Sequence, residues 1–163
     1  ATRNHDFHAF TPTVSNIRPT SRGYVNITNK DSRVYAKVKL NYLSTDHDRM
    51  VAAKGLKLTR KIIMESQTFK KYKPEEYRPG ININNDEELV KAGSEFAQTI
   101  FHPVGTCKMG QDEMAVVDEE LKVKGINNLR VIDASIMPNI TSGNTNAPTI
   151  MIAEKGADMI LRS

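Results

Sequence analysis

The chain has 163 residues, of which 39% are apolar and 26% are charged, so it is long enough for one domain with its own hydrophobic core. Its net charge of +4 comes from 23 basic residues interleaved with 19 acidic ones, which favours a solvated surface over a nucleic-acid or membrane-binding one. A single cysteine, Cys107, excludes an internal disulfide and a cysteine zinc cluster, and no apolar run is long enough to span a membrane.

The first forty residues predict an extended lead-in followed by a hairpin. Residues 1–16 are polar and unpatterned, and they begin with neither Met nor a signal-peptide pattern, which is typical of a fragment or a processed chain. Apolar and polar residues then alternate over 21–27 and again over 34–40, on either side of a polar turn at 29–32. This pattern predicts two antiparallel strands with one buried face.

Two helices are predicted between the hairpin and residue 100. Ser44 or Thr45 can cap the first, and acidic residues follow in its first turn, where the helix dipole favours negative charge. Its apolar stripe, at three- and four-residue steps, consists of Val51, Gly55, Leu58 and Ile62. The second helix begins at Asp86 and cannot continue through Pro103. Pro79 and Gly80 predict an irregular segment between the two.

The last third of the chain adds short strands and a final helix. Residues 121–124 and 129–132 are apolar and extended in pattern, and a turn joins them. The final helix is predicted over 147–161, with Asn146 as its cap and Pro148 tolerated in the first turn. The predicted fold class is therefore mixed, α+β.

Three segments carry residues suited to chemistry. His102 lies in a turn that Pro103 would hold, and a positioned imidazole can act as a general base, although a lone histidine is more often a capping or packing residue. The strand that stops at Asp133 and Ala134 exposes backbone N–H groups to a ligand, or is simply a buried strand before a turn. The loop 141–148 opens a helix whose N-terminus suits an anion, or is an ordinary capping loop.

The chain contains, in order, HPVGTCKMG from His102, VIDAS from Val131 and TSGNTNAP from Thr141. Together these segments resemble the C-terminal signature of the glucose-methanol-choline (GMC) oxidoreductases, flavoenzymes that oxidise alcohols. The resemblance implies that His102 is the catalytic base and that Asn144 hydrogen-bonds the substrate oxygen while hydride passes to N5 of FAD. It also implies contacts with FAD, and the residues concerned are Asp133, Ala134, Thr145 and Asn146. For Thr145 and Asn146 it is the backbone that would lie near the pyrimidine edge of the flavin.

The resemblance covers roughly residues 10–163 and implies a division of a longer α/β enzyme. Residues 1–16 would be the lead-in, 17–100 a portion of an antiparallel-sheet substrate domain, and 101–163 the active-site loop with the closing strand and helix of a Rossmann-like FAD domain. The nine glycines of the chain form no GxGxxG fingerprint, the motif that binds the FAD pyrophosphate. The expected partner is therefore an N-terminal FAD-binding portion of the same protein.

Other functions remain open from the sequence. Some flavoproteins of the same scaffold are hydroxynitrile lyases, and a non-catalytic binding module is a second alternative. The identity of the alcohol, and of the acceptor that takes the electrons from the flavin, is open as well. Sequons at Asn26 and Asn139 would permit glycosylation if the parent protein is secreted, so the localisation is also left open.

Overall fold

The computed structural model of the chain describes residues 5–162, which form two compact units. The first unit contains the residues up to Asn16 together with Asp46–Ala97, and the second contains Ile17–Thr45 together with the residues from Gln98 onward. Residues 5–16 of the predicted lead-in have no helix or strand, and residues 1–4 lie outside the described range. The predicted boundaries at residues 16 and 100 concern the domains of a longer enzyme, and they stay a prediction.

The predicted hairpin is present in the second unit, with shorter strands. Strand β1 is Tyr24–Asn26 and strand β2 is Lys37–Lys39; they pair antiparallel, with Val25 opposite Val38. The prediction of one buried face is wrong, because every residue of both strands is exposed. Two strands of three residues are too short to bury a face by themselves, and a hairpin alone is marginally stable in water.

Three helices lie in the first unit. Helix α1 is Asp46–Glu65, the one-turn helix α2 is Gln67–Lys70, and helix α3 is Asp86–Ser94. Both long helices begin where the sequence predicts, with acidic residues in their first turns. The side chain of Asn85 caps α3 by accepting a hydrogen bond from the backbone N–H of Glu88 at 3.1 Å. The short helix α2, which Ser66 caps, is not predicted by the sequence.

The buried face of α1 differs from the predicted stripe. Leu58 and Ile62 are 58% and 51% exposed, whereas Ala53 of α1 and Leu89 of α3 are completely buried. The prediction placed Gly55 within a helix-packing stripe, but the space beside this glycine is filled by Val14 of the lead-in. The side of α1 that carries Ala53 is therefore buried, and Gly55 lies against the lead-in.

A polar cluster around Arg60 fixes the irregular segment that follows α2. Its guanidinium pairs with both carboxylate oxygens of Glu76, at 2.6 and 2.8 Å, and it also donates to the Asn84 side chain and to the carbonyl oxygens of Gly80 and Ile83. The side chains of the ion pair are only 15% and 12% exposed. The hydrogen bond with Glu76 raises the pKa of Arg60, so the guanidinium stays charged.

The second unit ends with a short 3₁₀ helix, Ala134–Ile136, and helix α4, Asn146–Leu161. Its core contains the side chains of Val117, Leu121, Ile136, Met137 and Ile152. The prediction of two strands before these helices is wrong: residues 121–124 and 129–132 are joined by an isolated antiparallel bridge between Lys122 and Arg130. Leu121 has a φ of 63° and Lys124 lies in a turn, so the first segment is not a regular strand.

The predicted cap of the final helix is wrong by one residue. Thr145 is the N-cap of α4, because its carbonyl oxygen accepts the first helical hydrogen bond from the backbone N–H of Thr149 at 3.0 Å. Asn146 is therefore the first residue inside the helix, and Pro148 lies in the first turn as predicted.

Candidate functional site

The segment that follows His102 is held against the 3₁₀ helix. The backbone N–H of Cys107 donates to the carbonyl of Ser135 at 3.0 Å, and that of Met109 donates to the carbonyl of Ile136 at 2.8 Å. Gly105 has a φ of 89°, which glycine adopts without strain, and a Cβ at this position would lie 3.3 Å from the Met137 carbonyl oxygen. His102 is thus carried by an anchored turn.

The side chain of His102 contacts the residue that caps the final helix. Its Nδ1 lies 2.9 Å from the hydroxyl oxygen of Thr145, and the backbone N–H of Thr145 points to the same nitrogen at 3.5 Å. His102 is half-buried, and Thr145 is only 7% exposed. In the part of the chain that the structure describes, the other ring nitrogen, Nε2, makes no hydrogen bond. The imidazole is therefore held on one side and open for chemistry on the other.

Asn144 precedes the threonine that contacts His102. It is exposed, and within residues 5–162 its side chain makes no hydrogen bond. An amide group can both donate and accept, so it can bind an alcohol or an alkoxide oxygen. The structure thus brings His102 and Thr145 into contact and places Asn144 beside this pair in the chain.

Asp133 and Ala134 lie at the start of the 3₁₀ helix. The carboxylate of Asp133 accepts the backbone N–H of Ser135 at 2.7 Å and so caps this helix, while Ala134 is half-buried as its first residue. The 3₁₀ helix and α4 share the core of the second unit through Ile136 and Ile152. All three predicted segments therefore belong to one packed unit.

The beginning of α4 retains free hydrogen-bond donors. Thr145 makes no side-chain capping bond, and among the described residues the backbone N–H groups of Asn146 and Ala147 have no acceptor. A helix N-terminus with open donors attracts negative charge. This is the property that the pyrimidine edge of a reduced flavin would require, so the residues present fit that group.

The role of the Thr145 side chain is the feature that sequence reasoning missed. The sequence indicates only that a small polar residue stands before a helix, where its hydroxyl would ordinarily cap. Nothing in the local pattern shows that an imidazole 43 residues earlier takes this hydroxyl instead.

No three metal-ligating side chains cluster anywhere in residues 5–162. Over the same range, no helix is both long and apolar enough to cross a membrane.

The chain is similar to known proteins over most of its length. The C-terminal family model described as GMC oxidoreductase matches residues 19–153. An oxygen-dependent choline dehydrogenase from Pseudomonas syringae pv. tomato is 49% identical over 153 residues, covering 94% of this chain and 27% of that protein.

Two solved structures are similar as well. A pyridoxine 4-oxidase from Mesorbium loti has a TM-score of 0.83 at 35% identity, over 90% of this chain and 28% of that one. A formate oxidase from Aspergillus oryzae, studied for modification of its FAD, has a TM-score of 0.81 at 30% identity, over 94% of this chain and 28% of that one. The chain therefore spans little more than a quarter of the length of these relatives.

Proposed function

The chain belongs to the GMC oxidoreductase family, and from this membership we propose that it is the C-terminal part of an FAD-dependent enzyme that oxidises alcohols. His102 is the base that takes the hydroxyl proton of the substrate. The observation that carries this role is the orientation of the imidazole, with Nδ1 held by Thr145 and Nε2 open. A fixed imidazole with one open nitrogen satisfies the geometric requirement of general-base catalysis.

Asn144 assists at the substrate oxygen in this proposal. Its exposed amide is unbonded within the described chain and stands next to Thr145, so it can donate a hydrogen bond to the alcohol as negative charge develops on the oxygen. Choline is the first alcohol to test, because a choline dehydrogenase is 49% identical to this chain. The electron acceptor is tested alongside it, with oxygen and an artificial acceptor as the two arms.

FAD would supply the hydride acceptor, and the main anchor of its pyrophosphate would lie in the N-terminal portion of the longer protein. In this chain Asp133 and Ala134 would contact it at the 3₁₀ helix. Thr145 and Asn146 would contact it through backbone groups at the start of α4, where open N–H donors are present. Residues 17–100 would then belong to the substrate domain, and 101–163 to the active-site loop and the closing part of the Rossmann-like FAD domain.

The test is His102→Ala in the full-length enzyme. FAD should stay bound, since its anchor lies elsewhere, while anaerobic flavin reduction by the alcohol slows by about 10²- to 10⁴-fold. The matched control is His47→Ala, because His47 is exposed in the first turn of α1. It should reduce flavin at the wild-type rate.

Two results would overturn the proposal. Normal flavin reduction by His102→Ala, with FAD fully loaded, would return His102 to a packing role. No bleaching of the wild-type flavin by any alcohol, together with cleavage of a cyanohydrin, would identify a hydroxynitrile lyase. If the flavin is not bleached and no cyanohydrin is cleaved, the chain would belong to a non-catalytic binding module.

A further inference from the structure

The loop that carries Asn144, residues 138–144, is held by few contacts. It begins after Met137, whose side chain is buried in the core, and it ends at Thr145, the N-cap of α4. Within the described range 5–162 this loop makes a single hydrogen bond, in which Nη2 of Arg22 donates to Oδ1 of Asn139 at 2.6 Å. Packing beside Asn144 is loose, because a Cβ at Gly143 would have no neighbour within 4 Å. Between its two ends, the loop is therefore held mainly by Arg22.

Arg22 is itself fixed beside the hairpin of β1 and β2. Its other terminal nitrogen, Nη1, donates to the carbonyl oxygens of Pro19 and Ser21, at 3.1 and 3.0 Å. Its own backbone carbonyl accepts a hydrogen bond from Nδ2 of Asn41 at 2.9 Å. The hydroxyl of Ser21 accepts the backbone N–H of Ser44 at 3.0 Å. The guanidinium thus reaches Asn139 from a backbone that is held on both sides.

The chemistry of the two side chains fixes the direction of their bond. A guanidinium can only donate, so the Asn139 atom that faces it is the amide oxygen. Hydrogen bonds from a charged donor are shorter and stronger than neutral ones. The bond spans 117 positions of the sequence, and both residues belong to the second unit. It therefore connects the hairpin region directly to the loop that precedes α4.

We propose that Arg22 is a positioning residue, which through Asn139 holds the loop 138–144 and with it the amide of Asn144 at the substrate oxygen. This inference rests on the proposed function, from which it takes the role of Asn144. A hydrogen-bond donor stabilises developing charge only if it is held in place before the reaction. A displacement of about 1 Å can cost about 100-fold in rate. Arg22 acts through Asn144 and not on the substrate itself.

The experiment measures anaerobic flavin reduction by choline, or by the alcohol that bleaches the wild-type flavin, in the full-length, FAD-loaded enzyme. Arg22→Met removes the donor and should lower the limiting rate by about 10- to 100-fold. The substrate concentration that gives half of this rate should change little, because the lost interaction belongs to the transition state. The matched control is Arg33→Met, since Arg33 lies between the two strands of the same hairpin and pairs with Asp31. It should reduce flavin at the wild-type rate.

Substitutions of Asn139 separate the hydrogen bond from other effects of losing an arginine. Asn139→Leu removes the acceptor and should slow flavin reduction as much as Arg22→Met does. Asn139→Asp keeps an oxygen acceptor for the guanidinium, so its rate should stay within about threefold of the wild type. A rate of Asn139→Leu equal to that of the wild type would overturn the proposal.

The decisive comparison combines Arg22→Met with Asn144→Ala. If Arg22 acts through Asn144, adding Arg22→Met to Asn144→Ala should change the rate by less than about twofold, because coupled residues are not additive. A full additional loss of rate in the double variant would overturn the proposal. Equal rates in Arg22→Met and the wild type would do the same.

Crystal structures of the full-length wild type and Arg22→Met enzymes test the hold of Arg22 on the loop independently of the rate. In Arg22→Met the loop 138–144 should be displaced or lack ordered density, while His102 keeps its contact with Thr145. A loop in the same position would overturn the proposal. If the loop is displaced but Asn144→Ala reduces flavin at the wild-type rate, the proposed role of Asn144 is wrong, whereas the hold of Arg22 on the loop is confirmed.

Discussion

The two units of the chain use their partly buried polar side chains in opposite ways. In the first unit Arg60 donates five hydrogen bonds, to Glu76 twice, to Asn84 and to two backbone carbonyls. In the second unit His102 is held through Nδ1 alone, by Thr145, and in residues 5–162 Nε2 makes no hydrogen bond. The nitrogens of the Arg60 guanidinium all have protein partners, which leaves little capacity for a ligand, whereas the His102 ring is oriented by one nitrogen and has the other available.

The difference separates a structural cluster from the contact that we propose to be catalytic. The Arg60 cluster gathers atoms from residues 76–84 around one guanidinium, so it fixes a segment that lacks helix or strand. The His102 contact joins two residues 43 positions apart through one side chain of each. We therefore expect substitutions in the first cluster to change stability and those in the second to change activity.

The largest effect on stability is expected from Arg60→Met. It removes the Arg60 donors of the largely buried Glu76 carboxylate and of the Ile83 carbonyl, so the free energy of unfolding should fall by about 2–4 kcal/mol. The Glu76 carboxylate keeps one backbone donor, the N–H of Gly80, and the Gly80 carbonyl keeps the N–H of Ile83. The matched control is Lys57→Met, which breaks an ion pair with Asp86 in the same unit that is about half exposed. Exposed pairs of this kind are worth about 0–1 kcal/mol.

Urea unfolding of the full-length enzyme, monitored by circular dichroism, measures both variants. Flavin reduction by Arg60→Met, assayed well below its unfolding transition, should match the wild type. Equal stability of Arg60→Met and Lys57→Met would show that the Arg60 cluster stabilises the protein no more than an exposed ion pair does. A loss of rate in Arg60→Met without a loss of stability would also contradict its structural role.

The sequence predicts where the helices begin better than it predicts which of their faces is buried. The starts of α1 and α3 follow from capping residues and acidic first turns, because these are local interactions. The buried side of α1 is decided by Val14, which fills the space beside Gly55 from a distant part of the chain. The spacing of apolar residues within the helix cannot predict that contact.

The same limit applies to the candidate site. His102 and the loop before α4 are recognisable because their motifs are local and specific to the family. The hydrogen bond between them depends on how residues 102 and 145 come together in space, so sequence reasoning assigned Thr145 only a backbone role. The roles of all six predicted site residues stay predictions: His102, Asn144, Asp133, Ala134, Thr145 and Asn146.

A smaller effect on stability should distinguish the packing of the two units. A Cβ at Gly156 in α4 would lie 2.6 Å from Cγ2 of Ile132, whereas a Cβ at Gly93 in α3 would meet only the end of Leu56, at 3.1 Å. Alanine gains up to about 1 kcal/mol over glycine in a helix, but overpacking costs about 1–3 kcal/mol. Gly156→Ala should therefore destabilise by about 1 kcal/mol, and Gly93→Ala should be neutral or slightly stabilising.

Thermal melts of the two glycine variants, compared at equal protein concentration, decide this point. Similar unfolding midpoints for both variants would mean that the Ile132 side chain moves to accommodate the new methyl group. The close contact between Gly156 of α4 and Ile132 would then not require glycine at this position.

The smallest effect is expected at Asp112, where the second unit has an exposed ion pair in place of a buried cluster. A hydrogen bond from the Lys108 ammonium, at 2.8 Å, is the main cause that lowers the pKa of Asp112, and the backbone N–H of Met114 adds to it. A carboxyl whose pKa is lowered by folding stabilises the protein above its unfolded value and loses this contribution as the pH falls through the folded value.

The advantage of the wild type over Asp112→Asn should therefore be present at pH 7 and should fade below about pH 4, where carboxyl groups take up protons. Urea midpoints of both proteins at pH 7 and at lower pH measure it. Lys108→Met should reduce the same advantage at pH 7, because it removes the main cause of the shift. An advantage that persists unchanged at low pH would show that Asp112 stabilises its turn by hydrogen bonding that does not depend on charge.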